Sequence, residues 1–568
     1  MPAVPPGRGD SLLTRLEEAR HRRPGARLAE KLLREARSLR LRDAGRVIRL
    51  HEATLFLRAY PHSPAVLRLA EDLLAGFERR VAALAAAGED LTPFDAPEVA
   101  GIAGTEVGTD FSCEVARLLT LRHAPRVRID WDAGEESDRM RATWPSFLPL
   151  LEEEALADAN VPYLAWLRAA SGRRLADPAW LLRRYDRLPL PLDDRAEHFD
   201  ALGLPIAWDL GGSRASRTKM RRPGPPRFFQ DAPLLARRDV SLDAELTGPR
   251  LELRRLPRSE GQRLCDMVRD TTAARYRELY QFTFADPTSV VAARPGRGVE
   301  IFLVGVRPER RLPLRSAYGG FIVRNGVPVG YTEGLAFLER LEIGFNMYYT
   351  FREGESAWLY AQMLRLHRSA LGVTSFSADP YQIGYENSEA IESGAFWFYR
   401  KLGFRPTDSG VRRILAGEER RLAADPGHRS SPATLRRLVT HNLLYEPPGS
   451  PLGAWDRFHI RNLGLAVNRR MAREFGGEAT RLRRSAETRV AKALELRPSS
   501  LSALERRAFA EFAPVLDLIP GLARWKRDER RDLADIVRAK AGPHERAYLR
   551  RLQRHPRLRE ALIRLGSA

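Results

Sequence analysis

"NSEAIESGAFWFYRKLGF", Asn387 to Phe404, puts five aromatic residues into one short stretch and closes on Tyr-Arg-Lys-Leu-Gly-Phe. Read alone, it is a helix that buries an aromatic face and stops at Gly403, where a left-handed residue can end it. Its surroundings give it more weight. Just before it, "VTSFSADPY" reads as a strand ending at Pro380, and Asn387 reads as the cap of a turn or helix start. Earlier still, "ESAWLYAQMLRLHRSALG" reads as a helix with Ala357, Tyr360, Ala361, Leu364 and His367 on one stripe.

Continuing towards the N-terminus, "RLEIGFNMYYTF" reads as a strand, and "SAYGGFIVRNGVPVGYTEGLAFL" as a hairpin turning at Asn325-Gly326. "VEIFLVGV" is a further strand, "SEGQRLCDMVRDTTAARYREL" a helix capped by Ser259, and "LELRRL" a strand. "GGSRASRTKMRRPGPPRFFQDAPLL", Gly211 to Leu235, carries no periodicity and reads as an exposed linker. The flanks read as helical. "VAGIAGTEVGT" reads as a loop of small residues between helices, "RVRIDW" as a short strand and 142–188 as more helices. "SPATLRRLVTHNLL" opens a helical tail whose stripe is Leu533, Ile536, Val537, Tyr548 and Leu552. The expected fold class is α+β and multidomain. A helical region spans 1–95, a mainly helical one 96–210, a linker 211–247, a central mixed-sheet α/β domain 248–425, and a helical region 430–568.

At 568 residues the chain is too long for one core. Its formal charge is +21, from 88 arginines and six lysines against 73 acidic residues. Those charges are interspersed along the chain, which favours a solvated surface over a nucleic-acid-binding face. No apolar run reaches the roughly 18 residues of a membrane helix, the N-terminus lacks a signal-peptide core, and Cys113 and Cys265 stand far apart. A cytoplasmic protein without a membrane partner is expected. "HEATL" at His51 lacks the second histidine of a zinc protease motif, and the carboxylates of "DWDAGEESD", 130–138, have no calcium-loop spacing.

The element order from Leu251 to Phe404 resembles the GNAT N-acyltransferase fold, over roughly 250–420. The motif carrying the resemblance is Ala395, then Tyr399, Lys401, Leu402, Gly403 and Phe404. The family often ends its last helix with Ala, a Tyr shortly after, then Lys-Leu-Gly-Phe. The resemblance implies that Tyr399 protonates a departing thiolate. "FREGESA" stands where the family turns backbone N–H groups towards the pyrophosphate of coenzyme A. Here Gly354 is preceded three residues earlier by Phe351, with Arg352 one place late, and Glu353 and Glu355 add negative charge. The implied cofactor-binding set is Tyr348, Tyr349, Arg352, Glu353, Gly354, Glu355, Ser356, Ala357 and Asn387. "LEIGF" aligns Glu342 with the general base of histone-type members, while Glu333 and Glu339 lie nearby in sequence.

The resemblance therefore implies transfer from acetyl-CoA or another acyl-CoA to an amine acceptor. Glu342 would be the base, Tyr399 the acid, and backbone N–H groups around "NMYY" would polarise the carbonyl. The rival expectation is a non-catalytic, degenerate form of the fold acting as a scaffold or nucleic-acid-binding protein. A third is a peptidyl-type transferase using aminoacyl-tRNA, supported by charge alone.

Overall fold

The computed structural model describes residues 8–22, 25–133, 138–148, 163–172, 176–224, 227–450 and 453–567. The protein is α+β: a helical N-terminal region, a central mixed sheet and a helical C-terminal region. Part of the expected helices over 142–188, part of the 130–138 carboxylate cluster and part of "EPPGSPLG" lie outside the described residues.

Two of the N-terminal helices start at side-chain caps. Asp43 accepts the Arg46 N–H ahead of helix Ala44–Ala59, and Ser63 accepts the Val66 N–H ahead of Pro64–Ala75. Ala44–Ala59 is buried over most of its length, because it lies between its neighbouring helices and the central domain. The second region holds a small antiparallel sheet of β1 (Glu106–Thr109), β2 (Val127–Ile129) and β3 (Ile206–Asp209), in the order β1-β3-β2. Strand β1 replaces part of the loop expected at "GTEVGT".

The expected exposed linker is exposed only in part. Ser216, Arg217, Thr218 and Gln230 are buried. Arg217 reaches Glu52 at 2.9 Å and the Thr350 hydroxyl at 2.6 Å, Thr218 meets His51 at 2.9 Å, and Arg58 donates to the Thr218 carbonyl at 2.6 Å. Polar composition marked the segment as solvated, but these partners replace the water.

The central sheet holds β4 (Arg254–Arg255), β5 (Val291–Gly296), β6 (Val299–Gly305), β7 (Ser316–Arg324), β8 (Val327–Phe337), β9 (Arg340–Met347), β10 (Ser375–Ala378), β11 (Arg405–Pro406) and β12 (Leu443–Tyr445). Its spatial order is β4-β5-β6-β7-β8-β9-β10-β12-β11. Asn325 and Gly326 take φ of 48° and 85°, the positive pair that a tight hairpin between β7 and β8 requires. Only β9 and β10 run parallel among these strands, joined by the crossover helix Ser356–Leu371. Leu443–Tyr445, expected as helix, is a strand between β10 and β11, so the sheet recruits chain beyond residue 425.

Three smaller expectations change. The "LELRRL" strand shrinks to Arg254–Arg255. The next helix starts at Arg258 behind Pro257, whose fixed φ suits a helix entry, so Ser259 is inside it. The stretch Asn387–Phe404 is two helices, Ser388–Glu392 and Ala395–Arg400, broken at Gly394 with φ of 70°. The expected C-terminal stripe is buried, and Tyr548 donates to the Leu314 carbonyl at 2.6 Å, docking that region on the sheet.

Candidate active site

β9 pairs with β8 along its whole length but with β10 only from Arg340 to Glu342. Beyond Glu342 the two strands part. The cause is local: β10 stops at Ala378, and Asp379-Pro380 turns the chain into a short helix that Asp379 caps. The odd residues of β9 turn their backbone groups to this gap, since the Phe345 carbonyl accepts from Gln382 Nε2 across it at 3.1 Å. A strand residue's N–H and C=O point to the same edge, so the Phe345 N–H faces the gap too.

Two cavities meet there, sharing Arg277, Asn346, Tyr381 and Gln382 in their walls. The first, of about 290 Å³, is lined by Arg352, Ser356, Asn387, Ala395, Phe398 and Tyr399 among others. Tyr399 is 2 % exposed. Its ring stands edge-on to Tyr360, Phe398 and Phe404, with centroids 5.4–5.5 Å apart. Among the described residues its hydroxyl closes no full hydrogen bond, although the Gln382 side chain and the Phe345 backbone lie close to it. Burial pushes the phenol well above the usual tyrosine range, and the Gln382 side chain and Phe345 backbone offset only part of that. It is therefore a protonated, buried donor on a cavity wall.

The "FREGESA" segment splits by direction. Glu355 turns inward and is wholly buried, with Arg324 at 2.5 Å, Arg297 beside it and the Leu235 N–H at 3.1 Å. Glu353 turns outward to Arg20 at 2.7 Å and His21 at 2.8 Å. Neither carboxylate lines the cavity. A Cβ at Gly354 would lie 2.5 Å from the Tyr60 hydroxyl and 2.9 Å from the Phe351 carbonyl oxygen, so a larger residue would force this turn to shift. Ser356 donates to the Arg352 carbonyl, Ala357 is buried, and the helix that follows has no side-chain cap, leaving its first N–H groups unpaired by one.

Arg352 stacks on the Tyr349 ring at 3.7 Å and meets Glu389 at 2.5 Å. Tyr349 donates to the same carboxylate at 2.7 Å, and Arg277 stands 3.9 Å from it. Glu389 thus occupies an anion position of this protein's own making. Tyr348 is buried under the Arg275 guanidinium, 4.3 Å from the ring centre, and burial pushes its phenol up to about 12. Asn387 accepts the Ala390 N–H, as a cap should, and its side chain also borders the cavity.

The second cavity, of about 440 Å³, lies on the other face of β8 and β9. Register puts Tyr331, Glu333 and Leu335 opposite Asn346, Gly344 and Glu342. Glu342 is tied to Arg315 at 3.3 Å, with Arg340 at 3.8 Å. Glu333 faces Gly344, which has no side chain to cover it, and it has no ion pair or hydrogen bond among the described residues. Burial pushes its carboxyl up, Asp379 adds repulsion, and Arg277 offsets part.

Sequence spacing singled out Glu342 and only noted Glu333. The β8–β9 register, invisible in one sequence, is what separates a paired carboxylate from an open one. Asp379 and Gln382 gave no sequence signal beyond following a strand, and Arg277 none beyond following the helix Arg258–Ala273. No metal-holding group of His, Cys, Asp or Glu occurs among the described residues. No helix there is long and apolar enough to cross a membrane. Compared with known proteins, the chain matches no family model, no curated protein and no solved structure.

Proposed function

We propose that this protein is an acyl-CoA-dependent N-acyltransferase of the GNAT type. The observation that carries the reading is the parting of β9 from β10, with the buried Tyr399 phenol on one side and the open Glu333 carboxylate on the other. A thioester in that gap would meet the Phe345 N–H at its carbonyl oxygen. An acceptor ammonium would give its proton to Glu333, which passes it to solvent. The neutral amine then forms the C–N bond as the C–S bond breaks. Tyr399 gives its proton to the departing thiolate, and the second amine proton restores the phenol. Phosphate oxygens have Arg352 and the uncapped start of helix Ser356–Leu371 within the same cavity wall. Glu333 replaces Glu342 as the base in this reading, because Glu342 is already paired with Arg315 while Glu333 is open to the cavity.

The Arg352–Glu389 pair favours a second reading, a non-catalytic form of the fold in which the anion site is permanently filled. Turnover of Tyr399→Phe separates the two. This variant keeps the ring and removes the hydroxyl, so acyl transfer should fall by about 10²-fold with melting temperature and acyl-CoA affinity unchanged. Wild-type protein that binds no acyl-CoA and releases no thiol with any amine supports the second reading.

A further inference from the structure

The 440 Å³ cavity has the wrong sign for its protein. The chain carries a formal +21, yet this wall holds Glu278, Glu333, Glu342 and Asp379 against one cation, Arg277. Arg315, from outside the wall, neutralises Glu342. Glu278 accepts the Ser112 N–H at 2.8 Å and gains no cationic partner from it. Asp379 spends one oxygen on capping Gln382. Carboxylate charge therefore remains in excess.

An independent group points the same way. Gln281 is 4 % exposed and lines the cavity, and its Oε1 has no hydrogen-bond donor among the described residues. A buried amide oxygen without a donor costs about 1–3 kcal/mol, so a ligand bringing N–H groups gains by supplying one. Glu333 and Asp379 are close enough to repel each other, which a ligand with one positive charge relieves only in part.

We infer that this cavity binds a small aliphatic amine carrying a second positive charge, a diamine or polyamine. One nitrogen lies at Glu333, beside the gap, and the other ammonium is held by the remaining carboxylates with Gln281 accepting from it. The size is that of a small-molecule pocket, roughly 300–1,000 Å³. A basic protein tail fits worse, because the surrounding +21 charge repels a large cation more than a small one that enters the acidic chamber. As an acceptor assignment this rests on the acyltransferase reading; as a binding site it does not.

The test uses three amines of equal length whose far ends are positive, neutral and negative: 1,4-diaminobutane, n-butylamine and 4-aminobutyrate. Each is titrated calorimetrically into the full chain without acyl-CoA. The diamine should bind saturably, butylamine at least about tenfold more weakly, and 4-aminobutyrate not at all. Glu333→Gln and Asp379→Asn should each weaken diamine binding by about tenfold at unchanged melting temperature. The order among the three amines in wild-type protein decides the matter even if a variant does not fold. With acetyl-CoA added, thiol release should follow the same order. Diamine binding in that order without thiol release supports the cation site and removes the transferase reading. No saturable diamine binding, or 4-aminobutyrate binding as well as the diamine, overturns the inference even if thiol release occurs with other amines.

Discussion

Gln382 reaches across the opening between β9 and β10 and donates through Nε2 to the Phe345 carbonyl at 3.1 Å. This bond closes the strand edge that an acyl-CoA arm would use. Gln382→Ala should cost about 1 kcal/mol of stability and bind acetyl-CoA as tightly as wild type or more tightly. A tenfold loss of affinity would mean that Gln382 holds the ligand instead of giving way to it.

The anion position filled by Glu389 gives a paired prediction. Burial alone would raise the Glu389 carboxyl, but Arg352 and Tyr349 outweigh it and hold it low. Glu389→Gln frees Arg352, so affinity for acyl-CoA should rise several-fold, whereas Arg352→Ala should lower it by about tenfold. Equal affinities in all three proteins, by calorimetry, would place the phosphates elsewhere.

Glu355 should matter for folding and not for ligand. Burial would raise its carboxyl, yet Arg324 and Arg297 beside it leave it lowered. Glu355→Gln strands a fully buried Arg324 guanidinium, a loss of about 3–5 kcal/mol in chemical denaturation. A stable variant that loses only acyl-CoA binding would return Glu355 to the ligand.

The helix Ser356–Leu371, the Asn325-Gly326 turn and the Asn387 cap were legible because each rests on local chemistry: a stripe, a positive-φ pair, a side-chain acceptor. The Leu443–Tyr445 strand was not. Three residues carry no period, and only their place between β10 and β11 makes them a strand. Glu355 looked like a charge at the phosphate site because its partners are distant in sequence: Arg324 ends β7, 31 residues away, and Arg297 lies in the turn between β5 and β6, 58 residues away. The Gly211–Leu235 segment misled for the same reason: a buried Arg217 paired with Glu52 has the composition of a solvated one.

Acid should destabilise the protein in a window set by histidine. Burial lowers both His51 and His367 to about 4, with Glu52 and the Met363 carbonyl respectively offsetting part. Their folded-state values lie below the usual 6.5, so the neutral folded form is fully favoured above pH 6.5. As pH falls towards 4 the unfolded chain takes up protons that the folded chain refuses, and stability is lost. Two imidazoles give a slope of up to about 3 kcal/mol per pH unit. Glu52, held down at about 2 by Arg217 against its burial, adds its own loss only below about pH 4.5. Urea midpoints that stay flat from pH 7 to 5 would contradict buried neutral histidines.

The proposed acyl-CoA site is tested most directly by titrating acetyl-CoA, free coenzyme A and a longer acyl-CoA into wild type and into Ala395→Trp. Ala395 opens the second of the two short helices and borders the 290 Å³ cavity one turn from Tyr399, so an indole there takes up cavity volume. The account predicts saturable binding to wild type and none to the folded variant. Silence from all three ligands in wild type, or undiminished binding to Ala395→Trp, would contradict it.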